Sequence, residues 1–142
     1  MQYLEIKDLL KKRQLDDAEK AIQASDLAPA VSLPLRIELL FLRQKYGEAL
    51  ALAEQMIRED RDPAVAYRWK AEILDDGFHE YKKSIECSSR AIELDPGYAE
   101  AYIVRGNTKR WMKPADNEGA MDDYRSALKY DENDPHALSG IG

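Results

Sequence analysis

Self-similarity at a period of about 35 residues constrains this chain more than any other feature. A repeat of that length folds as one small unit that buries its apolar face only against its neighbours, so it dictates an elongated stack of like units. Tyr46, Ala49, Met56 and Ile57 return as Tyr81, Ser84, Ala91 and Ile92. The latter set, continued by Leu94 and Asp95, returns again as Ala120, Ala127, Leu128, Tyr130 and Asp131, with Asn117 or Glu118 near the slot of Tyr81. A second series, Leu33, Tyr67, Tyr102 and Leu138, opens the apolar-periodic segments in between. Both series have helical period, and no strand signal competes, so the unit is a pair of helices.

Local chemistry sets the expected boundaries. Asp62-Pro63 and Asp134-Pro135 place a capping carboxylate before a proline suited to a first helical turn, and Ser32 before Leu33 and Pro34 makes a similar start. Gly47, Gly77 and the stretch from Lys113 to Gly119 interrupt the periodicity within pairs and mark the turns between antiparallel helices. The reading is a divergent first pair over 1–31, where Ile6 and Leu9 precede Leu15, Ala18 and Ile22, then repeats over 32–62, 63–97 and 98–133. A stub of a further first helix occupies 134–142, and all of these form one solenoid domain.

These motifs resemble the tetratricopeptide repeat. Tyr102, Gly106, Ala120, Tyr124 and Ala127 fall at its aromatic and small positions, and Asp95-Pro96 closes the copy before. Tyr67, Ala71, Tyr81, Ser84 and Ala91 match in the third copy, where Ser88 replaces an aromatic and suggests looser packing. In the second copy Tyr46 and Ala49 fit, while Leu33, Ile37 and Ala53 depart from the pattern. The resemblance implies an all-α fold, a right-handed superhelical α-solenoid of antiparallel helix pairs. The stub places Leu138 and Gly142 at its aromatic and small slots, which reads as a fragment of a longer array, or as a segment that packs on a neighbouring molecule.

Composition narrows function by exclusion. With 44% hydrophobic and 34% charged residues the chain reads as a globular, helix-rich protein. Its formal charge of −6 argues against nucleic acid, and Lys11, Lys12 and Arg13 read as the solvated end of a helix. No apolar run approaches the roughly 20 residues of a membrane span. The lone Cys87 has no partner for an internal disulfide and reads as structural, which fits a cytoplasmic setting. His79 and His136 have no evident catalytic partners, and Asp16-Asp17, Asp75-Asp76 and Asp122-Asp123 read as helix-end carboxylates. The stretch from Asp131 to Gly140 fails the calcium-loop pattern, because Pro135 sits at a ligand position. No catalytic centre, metal site or cofactor is expected.

What remains is surface. The repeat geometry puts first helices along a concave groove, with Lys7, Lys11, Glu38, Phe41, Arg68, Glu72, Asp75, Ile103, Asn107, Arg110 and Trp111 as lining candidates. The resemblance implies a protein, peptide or helix as partner, held by a scaffold or adaptor. One subclass of the family grips the C-terminal carboxylate of chaperones with lysines, asparagines and an arginine on three successive first helices. Asn107 matches that set, but Arg68 comes one repeat early and Tyr3, Glu38 and Glu72 occupy other positions, which disfavours a co-chaperone role. The alternatives are a regulatory segment of a larger enzyme, self-association through the stub, and a helical-repeat RNA binder, against which Glu38, Glu72, Asp75 and Asp76 argue.

Overall fold

A computed structural model of the chain describes residues 2–141, and every regular element among them is a helix. In chain order these are α1 (Gln2–Lys11), α2 (Leu15–Ala24), α3 (Pro29–Leu42), α4 (Tyr46–Arg58), α5 (Pro63–Asp76), α6 (Tyr81–Leu94), α7 (Ala99–Trp111), α8 (Asn117–Tyr130) and α9 (Pro135–Ile141). None of them is long and apolar enough to cross a membrane. Contacts gather the chain into two compact units, the first ending at Asp62 and the second beginning at Pro63.

In the first unit, helical spacing brings Ile6 and Leu10 of α1, Ala18 and Ile22 of α2, and Leu35 and Leu39 of α3 into one apolar cluster. Leu9, Leu15 and Leu42 pack on its flanks. α4 packs on α3 and buries Ala49, Ala53 and Met56 completely. The third helix starts earlier than the sequence suggests, at Pro29, so the expected boundary at Ser32 falls inside α3 and Pro34 is an interior residue. Proline tolerates the first turn because the N–H it lacks is an orphan there, and Pro29, which the sequence reading passed over, takes that place.

The turns within pairs also differ from expectation. Arg13, Gln44 and His79, not glycines, take the left-handed conformation, with φ of 60°, 59° and 54°. Just beyond each of them an amide reaches back to the preceding helix: Gln14 to Leu9, Lys45 to Leu40, and Glu80 to Leu74, at 2.8–2.9 Å. These bonds satisfy carbonyls that a helix end leaves open and outweigh the cost of a side chain at positive φ. Gly47 already lies inside α4.

The second unit repeats one packing scheme. Each helix packs on the next from α5 to α9, and the first helices touch one another, α5 on α7 and α7 on α9. Ala66, Ala101 and Ala137 recur at the repeat spacing and are all fully buried, as are Ser84, Ala91 and Ala127. Asp116 caps α8 by accepting from the Gly119 amide, and Asp134 caps α9 by accepting from the amides of His136 and Ala137. Ser88, where looser packing was expected, is fully buried and donates its hydroxyl to the Ser84 carbonyl.

Tyr124 is the largest fully buried side chain. A Cβ on Gly106 would meet its Cε1 at 3.0 Å, and a Cβ on Gly140 would meet its Cε2 at 2.6 Å, so two glycines on different first helices make room for one ring. Gly140 of α9 makes this close approach, and the expected small-residue slot at Gly142 lies outside the described residues. The stub buries Ala137, packs Ile141 against the same cluster, and leaves Leu138 exposed.

Candidate peptide-binding face

The candidate residues divide by what they touch. In the first unit Lys7 of α1 and Glu38 of α3 form an ion pair at 2.7 Å, so each answers the other's charge. Phe41 stands edge-on to Tyr46 with ring centroids 5.7 Å apart, while Lys11 is exposed. In the second unit Arg68 of α5 pairs with Glu72 at 3.1 Å and reaches Glu100 of α7 at 3.6 Å. Its guanidinium lies 4.1 Å from the Trp69 ring centre. Glu100 and Trp69 were not among the sequence candidates: the pairing of Arg68 with Glu100 runs between helices and leaves no local spacing signal, while Trp69 adjoins Arg68 on α5.

Two candidates leave the groove. Ile103 is buried in the cluster with Ala120, Tyr124, Ala127 and Ala137, so it serves the core. Asp75 is 7% exposed and accepts a hydrogen bond from the Thr108 hydroxyl at 2.9 Å. Thr108 lies 3.1 Å from the Ser84 hydroxyl, which itself donates to the Ala71 carbonyl at 2.8 Å. This chain of polar groups ties α5, α6 and α7 together. Burial pushes the Asp75 carboxyl above its ordinary range, against the opposing pull of the Thr108 hydrogen bond. Asp76 moves the same way, through burial and the neighbouring Asp75 charge.

Asn107, Arg110 and Trp111 remain as a surface. Their spacing puts them on one side of α7 over its last turns. Asn107 is half-buried and its Oδ1 accepts from the Tyr124 hydroxyl. Arg110 is exposed and forms no ion pair among the described residues, and Trp111 is 66% exposed. The face thus offers an amide, a cation and an indole on a helix fixed by the packing beneath it. Among the described residues no group of histidine, cysteine and carboxylate side chains is placed to hold a metal ion.

No family model matches the chain. It is 31% identical over 140 residues to Hsp70-Hsp90 organizing protein 1 of Glycine max, a match covering 94% of this chain and 24% of that protein. The chain spans a quarter or less of the length of the first curated relatives it matches. Among solved structures, the first TPR domain of human RPAP3 superposes with a TM-score of 0.71 at 21% identity, over 79% of this chain and 86% of that one. The second TPR domain of human RPAP3, solved in complex with the HSP70 peptide SGPTIEEVD, gives 0.67 at 21% identity, over 79% and 91%. Helix pairs stacked through small residues define an all-α helical-repeat protein. By its motifs and these likenesses the chain belongs to the tetratricopeptide-repeat family.

Proposed function

We propose that this chain is a non-catalytic adaptor segment that binds an extended, carboxylate-bearing peptide on the first-helix face of its second unit. The observation that carries the reading is the α7 stripe of Asn107, Arg110 and Trp111. A guanidinium and a carboxamide donor suit a carboxylate, and an exposed indole suits an apolar side chain of the same ligand. Because α7 is held by α5, α6, α8 and α9, little ordering entropy is lost on binding. The peptide-bound RPAP3 domain supports this ligand class, since its peptide ends in an acidic stretch. The grip rests mainly on α7, because Arg68 is engaged by Glu72 and Glu100. A cytoplasmic setting belongs to the same reading, in keeping with a chain whose one cysteine cannot form an internal disulfide.

Fluorescence anisotropy with labelled SGPTIEEVD, free and C-terminally amidated, tests it. Wild type should bind the free peptide saturably, and both amidation and Arg110→Glu should weaken binding by about tenfold, the effect of one charge-assisted contact. The variant is compared at a matched melting temperature. Absence of saturable binding, or indifference to both changes, overturns the reading.

A further inference from the structure

Tyr124 links the back of the second unit to this face. It starts on α8, its ring passes through the gap left by Gly106 on α7 and Gly140 on α9, and its hydroxyl reaches Asn107. A carboxamide oxygen has no hydrogen to give, so the phenol is the donor. That bond fixes the carboxamide plane and turns the Nδ2 hydrogens away from the phenol. Among the described residues no acceptor takes them.

We infer that Tyr124 is a positioning residue for peptide recognition: its buried phenol locks the Asn107 amide as a hydrogen-bond donor toward the α7 face, for a carbonyl or carboxylate oxygen of the ligand. The inference rests on the peptide reading of that face. Phenylalanine would fill the same slot, but the carboxamide could then turn either its oxygen or its nitrogen outward, and an oxygen repels an acceptor ligand. The repeat before lacks this device. There Glu72 stands at the position of Asn107, and Ser88 at the position of Tyr124 is too short to reach across, spending its hydroxyl on the Ser84 carbonyl instead. The donor is therefore placed at one repeat by two residues that occur together only there among these two copies.

The test combines a ligand-free and a ligand-bound readout on Tyr124→Phe, Asn107→Ala and the double variant. The Asn107 side-chain amide is the pair of signals that disappears from the 15N–1H spectrum of Asn107→Ala. Tyr124→Phe should shift that pair while backbone signals elsewhere stay in place. The same variant should weaken SGPTIEEVD binding by about three- to tenfold, Asn107→Ala by at least as much, and the double variant by no more than Asn107→Ala alone, because the two residues act as one unit. An unshifted amide pair overturns the inference. So does unchanged peptide affinity in Tyr124→Phe, or losses that add in the double variant. If Asn107→Ala binds like wild type, the positioning role falls, and the Arg110→Glu result shows separately whether the peptide face stands.

Discussion

Arg105 of α7 holds Asp123 of α8 in a fork, with Nη2 at 2.7 Å from Oδ1 and Nε at 3.1 Å from both carboxylate oxygens. Lys109 adds a second cation at 2.9 Å, and the Asp123 side chain is only 4% exposed. One buried carboxylate thus answers two charges on the neighbouring helix. Removing it leaves both cations facing a desolvated gap, which costs more than the pair itself contributes.

Asp123→Asn should therefore lower stability by about 2–4 kcal/mol, toward the low side of a broken buried pair because the cations keep some water. Arg105→Lys, which keeps the charge but loses the fork, should cost about 1 kcal/mol. Urea unfolding followed by circular dichroism measures both, and an Arg105→Lys variant as stable as wild type would show that fork geometry does not matter here.

The Asp75 carboxyl gives stability a pH dependence of definite sign. Burial raises it in the folded chain above its unfolded value, so the folded state holds the proton more tightly. Its stabilising contribution is complete below the ordinary carboxylate range and is lost as pH rises from about 4 through the raised folded value. Asp75→Asn should remove that slope. The difference between wild-type and variant stability, measured across this window, should fall with rising pH; a flat difference would discard the assignment.

Overpacking tests the tyrosine slot. Gly140→Ala puts a methyl 2.6–2.8 Å from three Tyr124 ring atoms, and Gly106→Leu crowds both the ring and the Ala120 carbonyl. Each should cost about 1–3 kcal/mol. Unchanged melting of both would mean that the ring moves aside freely.

Tyr102 behaves differently from its counterpart in the core. It is half-buried, stacks on Tyr130 with centroids 6.1 Å apart, and donates to the Pro96 carbonyl in an exposed bond. Tyr102→Ala should cost about 1–2 kcal/mol, less than a fully buried aromatic would. Thermal unfolding would register a loss of 3 kcal/mol or more as evidence of deeper burial in solution.

Periodicity made the small residues legible: Ala71, Ser84, Ala91, Gly106, Ala120 and Ala127 all stand where helices approach closely. It also located the α7 stripe, since Asn107, Arg110 and Trp111 share a helical face. Buried polar pairs escaped it. Asp123 reads as one of two adjacent carboxylates near a helix start, yet it lies in the second turn of α8 and turns inward, while Asp122 stays exposed. Asp75 reads as groove lining for the same reason, because period alone does not say whether a carboxylate meets water or a hydroxyl on another helix. The role of Tyr124 was invisible because it depends on Gly140, a residue the register had not singled out.

The pairing of Tyr124 with Gly140 has a counterpart one repeat earlier, where Ser88 and Val104 hold the equivalent positions. Large against none has become small against medium, so total volume is shared between the end of one repeat and the start of the next. Repeats of this chain are consequently not interchangeable cassettes. A graft cut at the loop between pairs would bring Ser88 against Gly140, leaving a hole, or Tyr124 against Val104, producing a clash. A graft cut inside a pair, between α7 and α8, would keep Tyr124 with Gly140 but part it from Gly106, and Ala71 of the earlier repeat would bring a methyl into that slot.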